Sequence, residues 1–102
     1  MLSSKRINSN MSCADALKIL SDETRLGIIV KLLEKPMPVN EINEALSIEQ
    51  SLLSHHLRVL RLSGFVTSER SGKNVIYRLT QKLKATQSAN AVNLGCCRLS
   101  FT

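Results

Sequence analysis

The stretch from residue 49 to 79, EQSLLSHHLRVLRLSGFVTSERSGKNVIYRL, constrains the fold most, because its hydrophobic period changes from helical to extended partway along. In its first half, Leu53, Leu57 and Leu60 recur at helical spacing and mark a face that docks on a core. Ser51, Ser54, His55 and Arg58 fall at i, i+3, i+4, i+7 on the other side, a stripe of hydrogen-bonding groups plus a cation held from behind. After Ser63-Gly64 the pattern becomes two β-prone runs, Val66 to Arg70 and Val75 to Leu79, around Ser-Gly-Lys-Asn, a hairpin turn. A helix with an outward polar stripe, followed by a basic ribbon, suits a DNA major groove in width and in donor and acceptor chemistry.

The elements upstream fix the topology. Ala14–Leu20 reads as a short helix with Leu17 and Leu20 as its apolar positions. Ser21 or Asp22 caps a second helix whose buried stripe is Leu26, Ile29, Val30 and Leu33, and Pro36 and Pro38 stop it. A third helix, about Val39–Leu46, turns at Ser47-Ile48 into the fourth, about Gln50–Leu62. This order predicts a mainly α chain with a β-hairpin wing, a winged helix-turn-helix in which the fourth helix reads DNA. Thr80 caps a final helix of about Gln81–Ala91. The chain divides into an arm (residues 1–11), the winged domain (12–92) and a cysteine-containing tail (93–102).

Charge agrees with a nucleic-acid partner. The net charge is +6, and its distribution is uneven. Residues 1–50 hold six Lys/Arg and seven Asp/Glu, whereas residues 51–102 hold eight against Glu69 alone. Positive charge thus gathers on the reader helix, the wing and the C-terminal residues beyond it, the footprint of a phosphate-backbone binder. Three aromatic residues are too few for base-stacking recognition of single strands. On this basis Gln50, Ser51, Ser54, His55 and Arg58 are the candidate DNA contacts of the reader helix, and Arg70, Lys73 and Arg78 those of the wing. His56, one position round the helix, turns toward the leucine side and reads as a packed histidine. The residues alone also admit a winged-helix interaction module whose basic face binds an acidic protein. They supply no nucleophile–base pair, phosphate loop or carboxylate cluster, so an enzyme is excluded. No run approaches the ~18 apolar residues of a membrane span. The opening stretch is too polar for a signal peptide, which points to the cytoplasm. A thin core makes a homodimer the default.

Four blocks of the chain resemble the arsenical-resistance (ArsR/SmtB) family of metal-responsive repressors. They are Leu17-Lys18-Ile19-Leu20-Ser21-Asp22-Glu23-Thr24-Arg25-Leu26, Ser54-His55-His56-Leu57-Arg58-Val59-Leu60, Gly64-Phe65-Val66 and Tyr77-Arg78-Leu79. The resemblance implies a homodimer built through the first and last helices, bound to a palindromic double-stranded operator and released by an inducer. Many members carry a Cys-x-Cys pair at the start of the helix matching Val39–Leu46. Here that stretch is Met37-Pro38-Val39-Asn40-Glu41. Others carry carboxylate and histidine ligands along the final helix, and Gln81–Ala91 has neither. Family members often cap the reader helix with Ser or Thr, where this chain has Glu49, which predicts a weaker helix start. What remains is Cys96-Cys97, similar to the arsenite-binding segment of one branch, with Cys13 as the candidate third ligand. Three soft thiolates suit As(III) or Sb(III) better than a tetrahedral zinc, which takes four N or S ligands. The expectation is a repressor needing no cofactor and released by a metalloid inducer. The alternative is the same repressor gated by thiol oxidation or reactive sulfur.

Overall fold

A computed structural model describes residues 11–84 and 91–100. Helix α1 (Cys13–Leu20) begins where the Ser12 hydroxyl accepts from the Asp15 amide at 3.1 Å. Helix α2 (Glu23–Glu34) begins where the Asp22 carboxylate accepts from the Arg25 amide at 3.0 Å. Both are short side-chain acceptors that satisfy amides with no partner inside the helix. Beyond α2, Met37–Pro38 form a two-residue strand β1 that the sequence pattern does not predict. It is too short to show an alternating pattern, and it holds an edge of the sheet, where Pro38's missing amide does no harm.

Helix α3 (Val39–Leu46) ends at Ser47, held in the left-handed region at φ 52°. The Asn43 side-chain amide donates to the Ile48 carbonyl at 2.6 Å and fixes the turn into α4 (Gln50–Leu62). Gly64, at φ 85°, lets the chain leave α4. Strands β2 (Val66–Ser71) and β3 (Asn74–Leu79) then pair antiparallel from Val66↔Leu79 to Ser71↔Asn74, leaving Gly72-Lys73 as a two-residue tip. β1 joins the other edge of β3 through Met37↔Tyr77, so the sheet order is β1-β3-β2. The expected winged helix-turn-helix is therefore the observed one, with α3 and α4 as the helix pair and β2–β3 as the wing.

The core is built from Ile28 and Ile29 of α2, Ile42 of α3, and Leu53, Leu57 and Leu60 of α4, closed by Val66, Leu83 and Val92. Two expected stripes sit differently. On α2 the buried positions are Ile28, Ile29 and Leu32, while Leu26, Val30 and Leu33 are half-buried, because α1, α3, α4 and β3 all pack on this helix. On α1 Ala16 and Leu20 are buried and Leu17 is 39% exposed.

The largest departure lies at the C-terminal end. Among the described residues of the stretch expected as a final helix, Gln81–Lys84 are helical (α5) and Ala91 begins a strand. Residues 85–90 of that expected helix, and residues 1–10 of the expected arm, lie outside the described residues. Strands β4 (Ala91–Asn93) and β5 (Arg98–Ser100) pair antiparallel, with Val92 opposite Leu99. The boundary placed after residue 92 thus falls inside a hairpin that residues 93–100 complete and whose Val92 is fully buried. The reason is an alternation of apolar and polar residues across Val92-Asn93-Leu94 and Arg98-Leu99-Ser100. Gly95 at φ 92° supplies the turn between them. No described helix is long and apolar enough to cross a membrane.

Candidate DNA-reading face and cysteine cluster

The reader helix takes its position from its buried side. Leu53, Leu57 and Leu60 are 2% exposed or less, which seats α4 and turns Gln50, Ser51, Ser54, His55 and Arg58 to solvent. A groove of about 460 Å³ runs between α3, α4 and the wing tip. Asn40, Asn43, Gln50, Ser54, Lys73 and Asn74 line it, so the polar side of α3 joins the candidate contacts. Sequence reading missed Asn40 and Asn43 because it judged α3 by its apolar positions. Within the wing, Arg70 and Lys73 are exposed and form no ion pair among the described residues. Arg78 is already engaged: its Nη2 lies 3.3 Å from Glu69 Oε1 across the ribbon.

Glu49 does not weaken the start of the reader helix; it caps it. Its Oε1 accepts from the Leu52 amide at 3.2 Å and from the Ser51 hydroxyl at 2.6 Å. Those two donors, Ser51 first, hold the exposed carboxyl below the usual carboxylate range. Ser51 was expected as a donor to DNA, but its hydroxyl hydrogen points to Glu49.

His56 is buried, as its place on the helix predicts, and it sits in a polar network. Arg25 Nη1 donates to His56 Nδ1 at 3.1 Å, so the ring proton is on Nε2, which faces Asp22 Oδ1 at 4.0 Å. Burial pushes this imidazole below the ordinary histidine value, against a smaller opposing pull from Asp22. Arg25 Nε also donates to the Ile19 carbonyl at 2.8 Å. One guanidinium therefore ties the end of α1 to the reader helix. The His55 ring stands edge-on to that of His56, with centroids 5.3 Å apart.

The cysteines, far apart in sequence, meet in space. Cys13 at the first position of α1 and Cys96 at the tip of the β4–β5 hairpin are joined as a disulfide, Cα atoms 5.9 Å apart across 83 residues of chain. Cys97 is a free thiol whose Sγ lies 3.7 Å from Cys13 Sγ. All three sulfurs fall within 4.8 Å of one another. The hairpin puts them there, since the Leu94 amide donates to the Cys97 carbonyl at 2.9 Å and the Gly95 amide to Asn93 Oδ1 at 2.8 Å. Alternation around Gly95 was the signal that could have revealed this hairpin. Beside the cluster a cavity of about 320 Å³ is lined by Met11, Ala16, Phe65, Leu83, Leu94 and Cys96. Reduced, these sulfurs offer three soft ligands in one place; oxidised, they offer one disulfide and one thiol.

Comparison with known proteins agrees with this architecture. Residues 22–68 match the family described as "Bacterial regulatory protein, arsR family". The chain is 42% identical over 66 residues to the HTH-type transcriptional regulator NmtR of Mycobacterium tuberculosis, covering 65% of this chain and 55% of NmtR. It thus spans little more than half of that relative's length. Over 69 residues it is 44% identical to the arsenical resistance operon repressor of Escherichia coli, covering 67% of this chain and 59% of that one. Among solved structures, reduced HlyU from Vibrio cholerae superposes with a TM-score of 0.64 at 37% identity, covering 69% of this chain and 75% of HlyU. These relatives are transcriptional regulators and not enzymes, and this chain belongs with them to the arsR family of bacterial regulatory proteins.

Proposed function

We propose that this chain is a cytoplasmic, homodimeric transcriptional repressor that binds double-stranded operator DNA through α4 and the wing. As(III) or Sb(III), held by Cys13, Cys96 and Cys97, releases it. The observation that carries the inducer reading is the meeting of three sulfurs within 4.8 Å of one another. Trivalent arsenic and antimony are soft acceptors that favour thiolate over oxygen or imidazole ligands, and three sulfurs leave one direction for the lone pair. The arsenical resistance operon repressor among its relatives supports the same chemistry. Gln50, Ser54, His55 and Arg58 contact the groove, while Arg70 and Lys73 of the wing contact phosphates and Arg78 shares its charge with Glu69. No cofactor is needed to bind DNA.

The switch acts through α1. Ligation draws the first turn of α1 and the hairpin tip into one cluster. The far end of α1 reaches the reader helix through Ile19, Arg25 and His56. A shift of α1 then changes how the two reader helices face the operator, whose half-sites are separated by one DNA turn of ~34 Å.

The disulfide favours a second reading, in which oxidation is the signal. Cys13 and Cys96 each lose a proton and together give up two electrons to an external oxidant as the S–S bond forms. A titration of DNA binding by fluorescence anisotropy separates the two. For the fully reduced protein, added arsenite weakens binding and diamide, a thiol oxidant, does so only through the Cys13–Cys96 bond. Unchanged affinity with arsenite, together with loss on oxidation, overturns the metalloid reading in favour of the redox one.

A further inference from the structure

Glu49 is an acid at the start of a reader helix whose own charged side chains, Arg58 and Arg61, are positive, and its geometry is specific. Both of its held donors, the Leu52 amide and the Ser51 hydroxyl, go to Oε1. The side chain nevertheless stays exposed to solvent. The carboxylate is therefore held in a fixed, exposed position at the end of the reader helix that meets base edges first. A phosphate contact is ruled out for it by charge. Ser51 has committed its only proton to Glu49, so it too offers only lone pairs to anything outside.

Resting on the reading of α4 as the DNA reader, we infer that Glu49, fixed by Ser51, is a base-specificity residue that selects cytosine in the operator. The two side chains together make an acceptor patch. In the major groove hydrogen-bond donors are scarce: the cytosine N4 amino group and the adenine N6 amino group. Adenine's donor lies between two acceptors, its own N7 and the thymine O4, which repel a carboxylate. Cytosine's donor has an acceptor on one side and a C–H on the other, and so accommodates it. The same charge acts against non-cognate DNA, because a carboxylate without an amino partner is left among acceptors and phosphates.

The test is selection of binding sites from a pool of randomised duplexes, using the full chain in three forms: wild type, Glu49→Gln and Glu49→Ser. The wild-type protein is expected to select a C·G pair at one position of each half-site. Replacing that pair should weaken binding roughly 5- to 150-fold. Glu49→Gln should move the preference at that position to adenine, which suits an amide, and leave the other positions unchanged. Glu49→Ser keeps a good cap and should lose the preference at that position alone. Three identical motifs would show a cap with no reading role and overturn the inference while leaving DNA binding intact. A wild-type protein that enriches no motif overturns the DNA-reading assignment itself, and this inference with it.

Discussion

His56 lies one step round α4 from His55, and that step moves an imidazole from solvent into the protein. Its Nδ1 accepts a hydrogen bond from Arg25, an arrangement that requires the neutral ring, and burial lowers its pKa in the folded state. A group whose pKa is depressed on folding stabilises the fold above its ordinary value, 6.5 here, and that contribution is lost as pH falls through the folded value. Asp22 is also depressed, but from 3.8, so its contribution fades only in stronger acid. Thermal unfolding should therefore show a midpoint that is steady above the ordinary histidine value of 6.5 and declines as pH falls below it, with a shallower decline in His56→Gln. Equal slopes for the two proteins would count against this origin. On the wing the expectation concerns salt. Lys73→Ala should lower the salt dependence of DNA binding by about one phosphate contact and weaken all sequences alike. Arg78→Ala should change it less, since that guanidinium is already shared with Glu69.

At the scale of elements, the reader helix is only as well placed as its buried face. Leu53 is fully enclosed, and Leu53→Ala should cost about 2–5 kcal/mol of unfolding free energy, measured by chemical denaturation. The periodicity of residues 49–79 made this helix and the wing legible, because each has one face in contact with a core and one in solvent. It also picked out the exposed stripe by elimination. Three features were not legible for identifiable reasons. Strand β1 is two residues long and defined by its partner, β3, rather than by its own pattern. Which apolar positions of α2 are buried depends on how α1, α3, α4 and β3 pack around it, which no single helix encodes. The β4–β5 hairpin hid behind Gln81–Ala91, a polar stretch read as helix, although Gly95 marks a turn that a helix could not carry at φ 92°. Gly95→Ala should cost about 1–2 kcal/mol from that backbone conformation, with no clash from the added methyl.

At the scale of the whole molecule, the sulfur cluster joins the two ends of the described chain. Closing 83 residues of sequence with one covalent bond restricts the unfolded chain, so the oxidised protein should be more stable than the reduced one by about 2–4 kcal/mol. Cys13→Ser should erase the difference, and denaturant unfolding with and without reductant measures it. The sequence pointed to Cys96-Cys97 and admitted Cys13, but joining them required knowing that the tail folds back to the start of α1. The cluster also carries a matter of parity. A chain with three cysteines can form one internal bond and must leave one sulfur over. Counting reactive thiols with a chromogenic reagent should give three per chain after reduction and one after oxidation. A count of zero would mean that the odd sulfur has found its partner in another molecule. The number of thiols left after oxidation thus distinguishes a switch closed within one chain from one that couples two.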